Sequence, residues 1–378
     1  MPSLSSEERQ QLHDSLLEML TDKYPFEQWK KLARAPGGES FGRAEWKQYA
    51  DMGWLGISLP EAAGGSAGGM TELGIVMAAA GRFMLLEPLL GTIVLGAGAI
   101  ERAGTAKQQE LLGSIATGDL ILAFCHTEPG AGYDRDYVTS VATKAGGGWR
   151  IDGEKGFALG AHAADTLVVS ARIGSATGPV GLFLVPRTAE GISLNQAPAF
   201  DGRFGATVRL QGVTVPADAR LGDSDADRLP IIDALIDRAA IACCAEAVGA
   251  MAAATDITVE YLKTRQQFGQ PLSKFQVLQH RLVDMSVSTE EARAIVHAAL
   301  QAIDDGAADA ARLVAMAKVK TAQTGRFVGS QAIQLHGGMG MTDELVVGHY
   351  YKRITMCESL FGDAEWYLKR VGKLRDAA

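Results

Sequence analysis

The chain has 378 residues, 36 Lys plus Arg against 44 Asp plus Glu, a formal charge of -8 and an apolar content of 47%. Its length predicts two or three domains at roughly 150 residues each. Apolar residues spread over the whole chain exclude a disordered polymer, and a net acidic sequence with no basic run excludes binding to duplex nucleic acid by phosphate neutralisation.

The polar start, Met1 to Gln10, and the interruption of the apolar stretch Gly74 to Ile100 by Arg82, Glu87 and Pro88 predict neither a signal peptide nor a membrane span, hence a cytoplasmic protein. From Glu7 to about Gly118 the pattern is helical, with Leu12, Leu16, Leu17 and Leu20 at 3-and-4 spacing and Thr105 as N-cap before Lys107 to Ala116. Gly64, Gly65, Gly68 and Gly69 interrupt it as a loop. From Leu120 to Ala219 the period becomes two, with strands over Leu120 to Phe124, Thr166 to Ala171, Val180 to Pro186 and Ala206 to Val215, read as antiparallel sheet.

After Pro230 only Pro271 remains, and four helical segments fit between breaks: to about Gln267, Leu272 to Asp304, Ala307 to Leu335, and one beginning after Gly340. Phe275, Leu278, Leu282 and Met285 form one stripe, as a bundle core requires. The fold class is therefore mainly α with a central β-domain, divided into helical 1–119, β 120–224 and a four-helix bundle over 225–378. Cys125, Cys243, Cys244 and Cys357 contain no C-x-x-C pair and are expected to be reduced.

Gly96-Ala97-Gly98 is followed by Glu101 where a Rossmann fingerprint needs glycine, and there is no P-loop, H-E-x-x-H or EF-hand loop, so no metal site is expected. Two G-x-S-x-G matches, Gly38 to Gly42 and Gly64 to Gly68, lack the strand before and helix after that a nucleophile elbow needs.

Three segments combine glycine, charge and aromatics. Thr127-Glu128-Pro129-Gly130-Ala131-Gly132 follows a strand and exposes backbone N–H groups and a hydroxyl, as a ligand-binding turn or a plain surface turn does. Arg265-Gln266-Gln267-Phe268-Gly269 offers a guanidinium for a phosphate and a ring face, or a dipole-compensating helix end. Gln334-Leu335-His336-Gly337-Gly338-Met339-Gly340 allows close backbone approach, whereas a simple C-cap needs one glycine.

Together with Gly53-Trp54-Leu55-Gly56, Pro60-Glu61-Ala62-Ala63-Gly64-Gly65 and Gly153-Glu154-Lys155, these segments resemble the acyl-CoA dehydrogenase family over nearly the whole chain. The resemblance implies FAD as cofactor, an acyl-CoA substrate, an electron-transfer flavoprotein as acceptor, and tetramers built as dimers of dimers. It also implies that Thr127 serves the flavin ring, while Arg265, Phe268, Gln334, Gly337 and Gly338 reach a neighbouring subunit's FAD. A glutamate serves the family as general base, removing the α-proton.

In this sequence the two places that glutamate occupies fall on Phe361 and Ala239. Asp237, Glu246, Glu358 and Asp363 flank them; Asp363 is the least implausible substitute, although a helix-start carboxylate is its ordinary use. The residue expected to offer a hydroxyl to the flavin is Leu159, and the small hydroxyl residue ending the first turn is Tyr133. The pattern resembles the small, non-catalytic subunit of heterotetrameric acyl-CoA dehydrogenases, such as pimeloyl-CoA dehydrogenase and those of bacterial steroid side-chain catabolism, with a paralogous partner supplying the base. A self-sufficient homo-oligomeric dehydrogenase or oxidase with a relocated base, and a flavin-free binding subunit, are the competing expectations.

Overall fold

A computed structural model describes residues 4–34 and 40–376. The chain divides into two compact units, one of Met1–Lys31, Gly69–Leu85 and Ala240–Ala378, the other of Leu32–Gly68 and Leu86–Ala239. Chain order begins with α1 (Ser6–Lys23), α2 (Phe26–Ala33), α3 (Arg43–Asp51), α4 (Met70–Phe83), a π-helical stretch Leu90–Ala97, α5 (Gly98–Ala103), α6 (Ala106–Gln109) and α7 (Leu111–Ala116). Thr105 is the N-cap of α6, its hydroxyl accepting from the Gln108 N–H while Gln108 returns a bond to the Thr105 N–H.

In the second unit the strands are β1 (Leu122–Cys125), β2 (Val141–Ala145), β3 (Gly148–Leu159), β4 (Thr166–Ile173), β5 (Val180–Pro186), β6 (Ile192–Pro198) and β7 (Phe204–Pro216). Their order is β1-β4-β2-β3-β7-β6, with β5 on β4. Trp149 and Ile151 of β3 point inward while Arg150 and Asp152 point to solvent, the period-two burial of a half-covered sheet. The expectation of a purely antiparallel sheet is corrected here: β1 and β2 each join β4 in parallel. Some forty residues separate β1 from β4, ample for the crossover that a parallel pair requires. β2, β3 and β6 were not among the strand runs expected; β6 alternates weakly and is mostly exposed.

The first unit carries the bundle: α8 (Leu229–Thr264), within which the unit boundary falls, α9 (Gln276–Asp304), α10 (Ala310–His336), α11 (Val346–Ser359) and α12 (Ala364–Asp376). A two-residue ladder, β8 (Gln266–Gln267) with β9 (Gln270–Pro271), joins α8 to α9. The last segment is two helices, because Phe361 and Gly362 take positive φ (62° and 122°) and break the run. Lys318 of α10, buried, holds the end of α11 by donating to the carbonyls of Cys357, Glu358 and Leu360 at 3.0, 3.0 and 2.8 Å. Arg353 does the same for α4, donating to the Leu85 and Met84 carbonyls and to Glu246 Oε1 at 2.8 Å.

α4 and α8 cross closely: a Cβ on Gly249 would stand 1.8 Å from the Ala78 carbonyl oxygen, so only glycine fits. The stripe expected to fill the bundle core is only partly inside. Met285 is buried, but Phe275, Leu278 and Leu282 are half-buried, and Val277, Val283 and Val287 on the same helix are 61%, 58% and 54% exposed. The first turns of α9 lack cover from their own chain. All four cysteines are buried and none forms a disulfide, and no helix among the described residues is long and apolar enough to cross a membrane.

Candidate functional site

The turn after β1 is fixed from below by a buried polar network. Glu128 accepts from Lys155 Nζ at 2.6 Å, from the Thr139 N–H and hydroxyl at 2.7 and 2.5 Å, and from the Ser140 N–H and hydroxyl at 3.0 and 2.7 Å. Burial opposes ionisation, but the Lys155 ammonium and these donors outweigh it and hold the Glu128 carboxyl at about 2. Lys155 also donates to Ser170 Oγ at 3.1 Å.

His126 lies between Ser170 Oγ, 2.9 Å from Nδ1, and the Arg135 carbonyl, 3.0 Å from Nε2. A carbonyl only accepts, so Nε2 carries the proton and Nδ1 receives the Ser170 hydroxyl hydrogen. Burial, reinforced by the Lys155 charge, lowers His126 to about 4, so the ring is neutral. Above this base the Thr127 carbonyl accepts from the Gly156 N–H at 2.7 Å, and the exposed Thr127 side chain makes no hydrogen bond among the described residues.

Glu128, Lys155, Ser170 and His126 were not singled out individually in the sequence. Lys155 had a readable signal: it follows Trp149, Ile151 and Gly153 at period two, an inward place where a lysine demands a carboxylate.

In the bundle, Arg265, Gln334, Gly337 and Gly338 converge on one cavity of about 620 Å³, which Tyr261 and His336 also line. The Arg265 side chain, just past the end of α8, is exposed and has no partner among the described residues. His336 stacks on Tyr261 with ring centroids 4.3 Å apart, and its Nδ1 lies 2.8 Å from the Ala332 carbonyl. Burial lowers the His336 pKa against the raising effect of that bond. The Gly337 N–H closes α10 onto the Gln334 carbonyl. A Cβ on either Gly337 or Gly338 would meet nothing within 4 Å, so the backbone there lies open to a ligand. Phe268 is not brought into this cavity: it sits at φ 55°, is 87% exposed, and meets only Phe275 edge-on at 6.1 Å.

The places where a base was sought hold none. Ala239 is fully buried, and Phe361 marks the break after α11. Every flanking carboxylate is engaged. Asp237 takes Arg135 Nη1 at 2.9 Å, and Asp233 shares that arginine. Glu246 is buried against Arg353, and Glu358 is bonded by Arg326, whose Nε lies 3.0 Å away. Asp363 caps α12, accepting from the Trp366 N–H at 2.8 Å. Leu159 pairs with Gly205 at the end of β3, and Tyr133 is half-buried. Gly64 to Gly68 form a loop with no strand before it, while Gly38 and Glu39 lie outside the described residues.

Three family models match: the N-terminal, middle and C-terminal domains of acyl-CoA dehydrogenase, over residues 6–119, 123–212 and 229–374. Acyl-CoA dehydrogenase FadE12 of Mycobacterium tuberculosis is 34% identical over 90% of this chain and 89% of its own. The 3-(aryl)acrylate reductase of Clostridium sporogenes is 30% identical over 84% and 86%. Among solved structures, a Tcur3481-Tcur3483 steroid ACAD variant superposes with TM-score 0.87 at 30% identity over 98% of both chains. A chain of the ChsE4-ChsE5 complex of M. tuberculosis does so with TM-score 0.87 at 25% identity over the full length of both.

Proposed function

Because the chain belongs to the acyl-CoA dehydrogenase family, we propose that it is the subunit without a catalytic base in a heterotetrameric, FAD-dependent dehydrogenase that desaturates an acyl-CoA thioester between its α and β carbons. A paralogous chain supplies the general base and the substrate-facing flavin site, and this chain supplies contacts to that cofactor from its bundle. The observation that carries the reading is the contrast between the two sets of positions. Each carboxylate beside Phe361 and Ala239 is held by an arginine or spent on a helix cap, while Arg265, Gln334, Gly337 and Gly338 line an open cavity.

Those residues fit a dinucleotide. The free Arg265 guanidinium suits a pyrophosphate by charge-assisted, bidentate bonding, Gln334 offers an amide, and the two glycines let the backbone approach without a side chain in the way. Thr127, on its rigid turn, presents a hydroxyl from the β-domain. FAD, when bound, takes up the hydride equivalent leaving the β-carbon. Phe268 reaches its ligand only in an assembly, since its own chain leaves it bare.

Val277, Val283 and Val287, all exposed on α9, support a partner chain, because branched apolar side chains grouped on one helix are commonly covered by an interface. The similar Tcur3481-Tcur3483 steroid ACAD and ChsE4-ChsE5 complex, each named for two components, support the same arrangement. The reading carries with it the three-domain division at 119 and 224, a cytoplasmic location, and an electron-transfer flavoprotein as acceptor. The test is co-expression with a paralogue that keeps the glutamate. The two chains should co-purify and oxidise acyl-CoA to a dye acceptor, while this chain alone gives no turnover; turnover by the single chain refutes the proposal.

A further inference from the structure

A second cavity lies within the first unit, away from Arg265 and Gln334, among α1, α4, α8 and α9. It has a volume of about 390 Å³, within the roughly 300–1,000 Å³ range of small-molecule sites. Its floor is apolar and made of small or branched residues, including Ile75, Val248, Ala252 and Val296. The glycine crossing of α4 and α8 brings those two helices together beside it.

The rim carries three arginines and two histidines. Arg9 and His13 stand one turn apart on α1, Arg293 and His297 one turn apart on α9, and Arg82 completes the ring from α4. Although the chain carries a net charge of -8, no acidic residue among the described residues lines this cavity. The three arginines each keep one carboxylate outside it: Arg9 Nε on Glu72 at 2.8 Å, Arg82 Nη2 on Asp256 at 2.9 Å, and Arg293 Nε on Glu290 at 3.1 Å. Those bonds tie each arginine to a carboxylate, while among the described residues the terminal nitrogens of Arg9 and Arg293 and the His297 ring make no hydrogen bond. Oriented donors above an apolar floor match a ligand with one anionic head and a flexible hydrocarbon tail.

We propose that this four-helix cavity is a binding site for a medium-chain monocarboxylate, distinct from the flavin-facing residues and independent of the chain's role in catalysis. The carboxylate lies between Arg9 and Arg293, and the tail enters beside Ile75 and Ala252. Nothing in this assignment depends on the absence of a base, so it stands or falls separately from the proposed function.

The test is equilibrium dialysis of the purified protein, with its partner chain if they co-purify, against radiolabelled decanoate, with acetate and decanol as controls. Saturable decanoate binding, weakened about tenfold or more in Arg293→Ala and abolished in Ala252→Phe, is the expected result, with decanol and acetate binding far more weakly. Arg293 is exposed and a surface change of this kind is expected to shift stability little, so the test does not rest on the cavity-filling variant; circular dichroism is checked for both. No decanoate binding, equal binding by Arg293→Ala as from a tail lodged elsewhere, or equal binding of decanol overturns the assignment.

Discussion

Replacing Lys155 by methionine tests the support beneath the Thr127 turn. Glu128 and Lys155 are both buried and 2.6 Å apart, and Glu128 takes four further bonds from Thr139 and Ser140. Methionine keeps most of the volume but leaves the carboxylate without its counter-charge. Breaking a buried pair from one side costs about 3–5 kcal/mol. The four hydroxyl and amide donors remain, which places the expected loss toward the lower end. In urea the transition reporting on the β-domain should shift to lower concentration with an unchanged slope. Lys155→Met with Glu128→Gln should recover part of the loss, because the unpaired charge is gone while the Gln carbonyl oxygen still accepts from one of the two donor pairs, Thr139 or Ser140. The same single variant should lower flavin occupancy in the assembled enzyme, since the backbone carrying Thr127 loses its anchor. A cost below about 1 kcal/mol, or a double variant no better than the single, refutes the reasoning.

Acid should act on the same network in two stages. His126, held down near 4, leaves the unfolded chain to bind its proton first, so stability falls as pH drops from about 6.5 to about 4. Glu128, held near 2, contributes stability present above its ordinary value of 4.5 and lost as pH falls from there toward 2, on the order of 3 kcal/mol. His126→Gln should remove the first stage only, read from urea midpoints across pH. Asp363→Ala should cost about 0.5–2 kcal/mol through the lost cap of α12 and leave turnover of the assembled enzyme intact; a collapse of turnover with folding preserved restores Asp363 as a base. Arg265→Ala, at an exposed side chain, should leave stability unchanged and reduce the flavin content of the hetero-assembly, measured by absorbance after gel filtration.

The order of helices, sheet and bundle was legible because local periodicity and caps such as Thr105 are local properties. The parallel joining of β1 to β4 was not, since pairing across forty residues leaves no mark on either strand. The half-exposed Phe275, Leu278 and Leu282 illustrate a different limit: an amphipathic stripe states that a face will be covered, not whether the cover belongs to the same chain. At the site, Arg265, Gln334, Gly337 and Gly338 were legible as glycine and charge at helix ends. The pairing of Asp237 with Arg135 and of Glu246 with Arg353 spans about a hundred residues in each case and emerged only in three dimensions. Those pairings matter most for function, because they remove the carboxylates that the sequence left available.

Anaerobic titration with an acyl-CoA, combined with a flavin-to-chain count, tests the central claim most directly. The account predicts that the isolated chain shows no flavin bleaching, and that the assembly with its paralogue holds half as many flavins as chains and bleaches fully. One flavin per chain, bleached by substrate in this polypeptide alone, contradicts it.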